Sequence, residues 1–401
     1  MRKNMIVTLK DITTKITKGT TPTSIGCKFE KSGINFIKSE SLVDGKTIDK
    51  SKFAFISERT HERLKRSQIE ENDILFSMAG MFLGKTGIAT AEVVPANTNQ
   101  AVAIIRVDDT KANYEYVYYY LNQKSVIHTI NTTSAQSAQP NINLKQIGEI
   151  KINLPDRKKQ DQIVSLLSAI DLKISNNVEI NDNLEQQAVT YFQELYINNA
   201  NPMWQIGTIS DLGTVVGGST PSKTKPEYYT NNGIAWITPK DLSINKSKFI
   251  SHGENDITEL GLKNSSTTVM PKGTVLFSSR APIGYIAIAS NEVTTNQGFK
   301  SVIPYLEIGT AFVYFFLKHS LPVIESAASG STFKEISGSA MKNIPAIIPD
   351  RSTLDQFNSF CAPIFAQQKI LEDQNYSLAM LRDSLLPKLM SGAIDIASIQ
   401  L

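Results

Sequence analysis

Residues 33–42 read GINFIKSESL, and residues 233–242 of the same chain read GIAWITPKDL. Other short segments around this pair recur in the same order, at an offset of roughly 200 positions. The further pairs are GTTP at 19–22 with GSTP at 218–221, ILFS at 74–77 with VLFS at 275–278, TNQ at 98–100 with TNQ at 295–297, VYYYL at 117–121 with VYFFL at 313–317, and LPDR at 154–157 with IPDR at 348–351. The 401-residue chain therefore contains two copies of one domain.

The segment that follows each copy differs from it in composition and in the spacing of its apolar residues. Within each copy, short β-branched and aromatic runs alternate with Gly, Asn and Pro, which is typical of a mixed α and β domain. Residues 156–200 contain neither Pro nor Gly, and apolar side chains recur there every seven residues. This spacing predicts one helix of about 40 residues, suited to packing against a second helix. Residues 350–401 show the same spacing, which predicts that second helix.

The two predicted helices are expected to pair with each other. One track of the first helix runs through Ile163, Ile170, Asn177 and Leu184, and the other runs through Leu167, Ile174 and Asn181. Asn181 and Asn375 both fall in the expected seam, and a polar Asn there fixes the register of a helix pair. We expect the pair to be antiparallel, and because each helix follows its own domain, the two domains would then lie at its opposite ends. The residues expected in the seam are Ile163, Ile170, Ile174, Asn181, Leu184, Phe357, Ile364, Leu371, Asn375 and Leu378.

These patterns predict an α+β fold with a pseudo-two-fold internal repeat. Two similar α/β domains, at 1–155 and 201–349, are separated by two long helices, at 156–200 and 350–401, that pair as an antiparallel coiled coil. The formal net charge is +3, but the four segments in chain order carry +6, −3, +2 and −2. Positive charge on the two domains suits a polyanionic partner that contacts only those segments.

Composition and motifs exclude several classes of protein. The two cysteines are more than 300 positions apart, which excludes a disulfide framework. No apolar run approaches the roughly 20 residues that cross a bilayer, and the N-terminal residues do not resemble a signal peptide, so we expect a cytoplasmic protein without a membrane partner. The sequence contains no HExxH, no GxSxG and no Cys/His cluster with metal-binding spacing. We therefore expect neither a catalytic site nor a metal site.

One segment resembles a phosphate-binding loop. Residues 79–86 read AGMFLGKT, close to the P-loop pattern with its first Gly replaced. A P-loop opens a helix, whereas residues 87–94 read as a strand, and the second copy has no lysine at the corresponding place. A loop that brings Lys85 or Arg280 close to DNA explains this segment better than nucleotide binding.

Several loops carry side chains suited to reading DNA. Asn and Gln can form two hydrogen bonds with adenine in the major groove, and residues that differ between the copies could give two sequence preferences. Each of these loops could equally be an ordinary polar turn, and motifs present in both copies could be turns that the fold requires. The candidate DNA-binding residues are Lys38, Ser39, Met78, Lys85, Asn99, Gln100, Gln139, Asn141, Thr238, Lys240, Ser279, Arg280, Tyr285, Asn296, Gln297 and Lys334.

With its repeated motifs in this order, the chain resembles the specificity subunits of type I restriction–modification systems over almost its whole length. LPDRKKQDQI at 154–163 and LLPKLMSGAIDI at 385–396 complete the resemblance. One position departs from the family pattern, because the glutamine at the start of the first helix, Gln160, corresponds to Leu354 in the second copy.

The resemblance implies a non-catalytic DNA-recognition subunit. Such subunits read a bipartite target in double-stranded DNA, with one half-site per target-recognition domain and an unread spacer between the halves. It implies two modification (methyltransferase) subunits that use S-adenosylmethionine, and restriction subunits that translocate DNA with ATP and Mg²⁺. No cofactor is then expected on this chain itself. The alternatives are an assembly scaffold that does not contact DNA and a self-sufficient DNA-modifying enzyme.

Overall fold

A computed structural model describes residues 5–43, 45–134, 141–330 and 334–396. The chain divides into two compact units. One consists of residues up to Leu172 together with those from Leu378 onward, and the other is Lys173–Ser377. Each unit therefore contains one copy of the repeat and a part of both long helices.

The first copy is built on two four-stranded sheets, whose central strands are the β-branched and aromatic runs of the sequence. In neighbour order, the first sheet contains Thr13–Lys18, Val102–Val107, Ile74–Ser77 and Thr86–Ile88, and the second contains Ala54–Ile56, Ile34–Ile37, Ala96–Thr98 and Gln68–Ile69. A separate pair joins Met5–Thr8 to Lys151–Leu154. The α-helices of this copy are Glu58–Arg63, Tyr114–Leu121, Lys124–Ser134 and Leu144–Gly148.

The second copy repeats this plan. Its larger sheet contains Gly213–Gly217, Lys300–Pro304, Val275–Ser279, Ile283–Ala289 and Phe249–Ile250, and its smaller sheet contains Tyr229–Thr230, Asn255–Ile257, Ile234–Ile237 and Thr294–Thr295. Gln205–Thr208 pairs with Pro345–Ile348. The α-helices are Ile209–Leu212, Pro239–Ile244, Glu259–Lys263, Thr310–His319, Leu321–Ser326 and Gly338–Lys342.

The strands that opened the sequence comparison have the same neighbours in both copies. Ile34–Ile37 pairs in parallel with Ala96–Thr98, and Ile234–Ile237 pairs in parallel with Thr294–Thr295. A TNQ motif begins at the last residue of each partner strand, so in both copies it lies beside the C-terminal end of the strand that opened the comparison.

Two long helices follow the copies. The first long helix is Arg157–Gln193, continued by a π-helical turn at Glu194–Asn198, and the second long helix is Arg351–Ser391. In the first unit, Ile163 and Leu167 near the start of the first helix share a core with Leu389 near the end of the second. In the second unit, the order is reversed, because Phe192 lies in one core with Phe357. The helices are therefore antiparallel, which confirms the predicted fold class.

The residues of the predicted seam are buried or half-buried, and the polar contact between the helices lies at a different asparagine from the one predicted. Ile163, Ile170, Phe357, Ile364 and Leu371 are buried, and Ile174, Asn181, Leu184, Asn375 and Leu378 are half-buried. The fully buried amide is that of Asn177, whose Nδ2 donates to Oδ1 of Asn375 at 2.9 Å. Asn181 instead accepts a hydrogen bond from the Gln368 side chain through its main-chain carbonyl, at 3.1 Å.

The segment that resembled a P-loop does not open a helix. Gly80–Phe82 forms a single 3₁₀ turn, and the strand Thr86–Ile88 of the first sheet follows it. The predicted strand at 87–94 is thus correct only for its first two residues, since a turn occupies residues 91–93. Across the described ranges, no helix is both long enough and apolar enough to cross a lipid bilayer.

Candidate nucleic-acid interface

The Gly-Thr loop and the TNQ motif of the first copy, 79 residues apart in sequence, form one polar cluster. The Thr20 main-chain N–H donates to the carbonyl of Thr98 at 2.9 Å. The Thr21 hydroxyl donates to Oε1 of Gln100. Gly19 is required at this crossing, because a Cβ there would lie 1.9 Å from the Thr98 carbonyl oxygen.

The second copy reproduces both hydrogen bonds of this cluster. The Ser219 main-chain N–H donates to the Thr295 carbonyl at 2.9 Å, and the Thr220 hydroxyl donates to Oε1 of Gln297. A Cβ at Gly218 would lie 1.8 Å from the Asn296 carbonyl oxygen. We call these two arrangements the amide clusters of the first and second copy.

Within each amide cluster the two amide side chains have different surroundings. Asn99 accepts the Ala101 main-chain N–H at 3.0 Å, and Asn296 accepts that of Gly298 at 2.9 Å. Each Asn therefore closes a turn, which is the alternative that the sequence left open. Gln100 and Gln297 are exposed, and their amide groups are accessible to a ligand.

The predicted DNA-binding residues in the loops that differ between the copies are not equally exposed. Met78 is only 7% exposed and lies in the core of the first unit, and Ser279 is fully buried at the end of a strand. The expectation that these two side chains contact bases does not fit their positions, because neither reaches the surface.

The other two variable positions are half-buried beside an aromatic or cationic neighbour. Lys85 is half-buried, with its ammonium 6.0 Å from the centre of the Phe82 ring. Tyr285 is half-buried under the ammonium of Lys246, at 4.7 Å.

Arg280 reaches the surface, and an acidic side chain holds it there. Its Nη1 lies 3.2 Å from a carboxylate oxygen of Glu335, and the Lys300 ammonium lies 3.6 Å from the other oxygen. Arg280 also follows directly on the strand Val275–Ser279, so a rigid element positions it. A phosphate or base that binds this guanidinium has to compete with Glu335.

The remaining predicted residues lie at strand ends and in exposed loops. Lys38 and Ser39 follow the strand Ile34–Ile37, and the Lys38 ammonium lies 3.7 Å from Glu40. Thr238 caps the helix Pro239–Ile244, and Lys240 in that helix pairs with Glu254 at 2.6 Å. Asn141 and Lys334 are exposed, and Gln139 lies outside the described residues.

One buried lysine that the sequence analysis did not single out fixes the second copy to the helix pair. The Lys248 side chain is 6% exposed and pairs with Glu185 of the first long helix. Its ammonium donates to Gln368 of the second long helix at 2.6 Å and lies 4.2 Å from the centre of the Phe365 ring. Glu372 accepts the main-chain N–H groups of Lys248 and Phe249 at 2.8 and 3.0 Å.

Burial and the neighbouring charges shift the pKa values of the ionisable groups in this cluster. Burial lowers the pKa of Lys248, and the Glu185 carboxylate opposes that shift. Although burial works against it, the positive charges of Lys248 and Lys318 lower the pKa of Glu185. Burial raises the pKa of Glu372, against the two main-chain hydrogen bonds that it accepts. Removal of any one partner of this buried ion pair would leave a charge without compensation, which destabilises the fold.

The first copy has a corresponding lysine, Lys46. Its ammonium pairs with Glu115, donates to Ser168 of the first long helix at 2.8 Å, and lies 4.4 Å from the Tyr119 ring. Lys46 and Lys248 occupy equivalent places, since their carbonyls accept the N–H groups of Ile88 and Ile288. At the 200-residue offset of the repeated strands the sequence alone pairs Lys46 with Lys246, so the equivalence with Lys248 depends on these main-chain contacts.

The comparison with known proteins assigns the family. The family described as "Type I restriction modification DNA specificity domain" matches residues 1–186 and again residues 201–373. These two matches cover most of the chain, so the protein belongs to this family.

Individual relatives carry the same description. The chain is 43% identical over 162 residues to the type I restriction enzyme MjaIX specificity subunit of Methanocaldococcus jannaschii, a match that covers 40% of this chain and 37% of that relative. It is 22% identical over 357 residues to the HindI specificity subunit of Haemophilus influenzae, covering 70% and 77%. The crystal structure of a type I restriction–modification S subunit from M. genitalium superposes with a TM-score of 0.57 at 16% identity, over 96% of each chain, which shows a common fold.

Proposed function

We propose that this chain is the DNA-recognition subunit of a type I restriction–modification enzyme. Each copy of the repeat would read one half of a bipartite target, and the two long helices would set the distance between the halves. The observation that carries this proposal is the pair of family domains, which share their amide clusters but differ in the loops at Lys85 and Arg280. A common scaffold with different exposed loops suits two different half-sites.

The chemistry would come from partner subunits. We infer that two modification subunits with S-adenosylmethionine methylate the DNA, and that restriction subunits with ATP and Mg²⁺ cleave it. The chain itself would bind neither cofactor. The part of the molecule that the structure describes contains no group of His, Cys, Asp and Glu side chains arranged to hold a metal ion.

Salt-dependent DNA binding tests this function. The chain assembled with its modification subunits should bind duplex DNA with a binding constant whose logarithm falls linearly with the logarithm of salt concentration, with a slope of about −0.9 for each phosphate neutralised. The assembly should transfer methyl groups to specific sites, whereas the chain alone should transfer none. Methyl transfer by the isolated chain would indicate a self-sufficient enzyme. Assembly without any contribution of the chain to DNA binding would indicate a scaffold.

Replacing Arg280 should show how the second domain contacts DNA. If Arg280 reads a guanine edge, Arg280→Ala should cost about 1–3 kcal/mol of binding free energy and relax the preference at one position of one half-site. If it binds phosphate instead, affinity should fall equally on all sequences, with a salt slope smaller by about one. Titration of target duplexes that differ at single base pairs, each at several salt concentrations, distinguishes base reading from phosphate binding.

The Glu335 contact provides a matched control for this variant. Because Glu335 competes for the guanidinium, Glu335→Gln should strengthen DNA binding more when Arg280 is present than in an Arg280→Ala background, where only the contact with Lys300 is lost. Equal effects in both backgrounds, together with unchanged affinity of Arg280→Ala, would show that Arg280 faces away from the DNA.

A further inference from the structure

A guanidinium and a primary amide converge on the Gly-Thr loop of the first copy. The Arg66 Nη2 donates to the Thr20 hydroxyl at 3.1 Å, and the neighbouring Thr21 hydroxyl donates to Oε1 of Gln100. Arg66 and Gln100 are both exposed, and the crossing of the loop at Gly19 holds the two threonines in place. The surface here therefore combines a fixed positive charge with an oriented amide.

The orientation of Gln100 determines which ligand this surface suits. A two-pronged contact with adenine needs the amide oxygen to accept from the base while the nitrogen donates to it. Here the Thr21 hydroxyl takes one of the two acceptor positions of Oε1 and anchors the amide through that atom, which favours the amide nitrogen as the group offered to a ligand. Arg66 carries donors only. Two sets of donors beside one positive charge match an acceptor-only anion such as a phosphodiester.

The second copy supports the same conclusion independently. Gln297 has the same Thr220 hydroxyl on its amide oxygen, and Asn296 closes the same turn. The contact of the threonine hydroxyl with the glutamine amide recurs in both domains, so it is poorly suited to distinguishing two different half-sites. It suits the component that all DNA sequences share, which is the sugar–phosphate backbone.

We propose that Arg66 and Gln100 hold a backbone phosphate of the DNA on the first domain, and that Gln297 holds the equivalent phosphate on the second. This inference rests on the proposed DNA-recognition function and assigns the two glutamines to sequence-independent anchoring rather than to base reading. Specificity is then left to the loops that differ between the copies.

Variants of the complete assembly with its modification subunits test this assignment. Gln100→Glu keeps an oxygen for the Thr21 hydroxyl but turns a negative charge toward the phosphate. It should weaken binding about tenfold or more, and equally on the target duplex and on a duplex with both half-sites scrambled. Gln297→Glu should behave in the same way. Arg66→Ala should weaken binding on both duplexes and reduce the salt slope by about 0.9, since one fewer counterion is released.

Two controls make the outcome decisive. Lys65→Ala removes the same charge one residue away from Arg66 and should have the smaller effect on affinity. Gln100→Leu removes a neutral donor, so it should weaken binding without changing the salt slope. Thermal unfolding of each variant checks that the fold is intact.

The results separate this inference from the function on which it rests. Altered preference at a single base position in a Gln100 or Gln297 variant would show that the amide reads a base. Folded Gln100→Glu and Arg66→Ala variants with unchanged affinity would show that the cluster is only a turn. In both cases a wild-type assembly that binds DNA leaves the recognition function standing, whereas a wild type without salt-dependent binding removes that function itself.

Discussion

Exchanging residues 201–349 for the corresponding segment of a related specificity subunit should change only one half of the methylated DNA sequence. The physical reason is that the two copies belong to separate compact units with separate hydrophobic cores. The exchange begins after the π-helical turn Glu194–Asn198 and ends before the helix at Arg351, so both long helices are retained. Sequencing of methylated sites in cells that carry the chimera measures the result directly.

The chimera has to keep the side chains that face the helices. Lys248, Phe312 and Phe315 contact the two long helices and should be preserved, because Phe192 and Phe357 pack on the same core. The reciprocal exchange of residues 1–155 is the matched control and should change the other half-site. A folded chimera with both half-sites altered would contradict independent reading by the two domains.

Lys248→Met should destabilise the second unit by about 3–5 kcal/mol, the range for removing one partner of a buried ion pair. Methionine has a similar length but leaves the half-buried Glu185 with Lys318 as its one remaining cationic partner, beside the Tyr314 hydroxyl, and it removes the donor to Gln368. Chemical denaturation, followed by the fluorescence of Trp204 and Trp236, reports on this unit because both tryptophans of the chain lie in it.

Lys318→Met provides the matched comparison. Lys318 pairs with the same carboxylate, Glu185, at 2.6 Å, but its side chain is 38% exposed. Its loss should cost only about 0–1 kcal/mol, as for other ion pairs that water screens. Equal losses for the two variants would mean that burial of Lys248 does not govern the stability of this cluster.

The repeat and the helix pair were predictable from the sequence, since both depend on patterns within short segments. Seven-residue spacing is a local property of a helix, and the matched motifs preserve their order along the chain. The register of the helix pair was harder to predict from the sequence. Asn177 and Asn181 both lie on apolar tracks, and the choice of Asn177 as the partner of Asn375 depends on how far one helix slides along the other.

The surface loops were harder to predict because burial there is a tertiary property. Ser279 looked like a loop residue, but the strand Val275–Ser279 continues through it and places it inside. Lys248 looked like any surface lysine, and its burial depends on Glu185 and Gln368, which are distant in sequence. For the amide clusters, the sequence identified the residues, whereas only the contact of Thr21 with Gln100 revealed which amide atom is accessible.

The division of the chain into two units has a consequence for its synthesis on the ribosome. The core of the first unit includes Leu386, Leu389 and Ile396, yet the second unit, Lys173–Ser377, is translated before them. At about 5–20 residues per second, the ribosome needs roughly 10–40 s to make that intervening segment. During this time the C-terminal residues that share a core with Ile163 and Leu167 have not yet been synthesised. The domain made first is thus completed last, and the nascent chain exposes a surface that a chaperone would recognise until its final turns emerge.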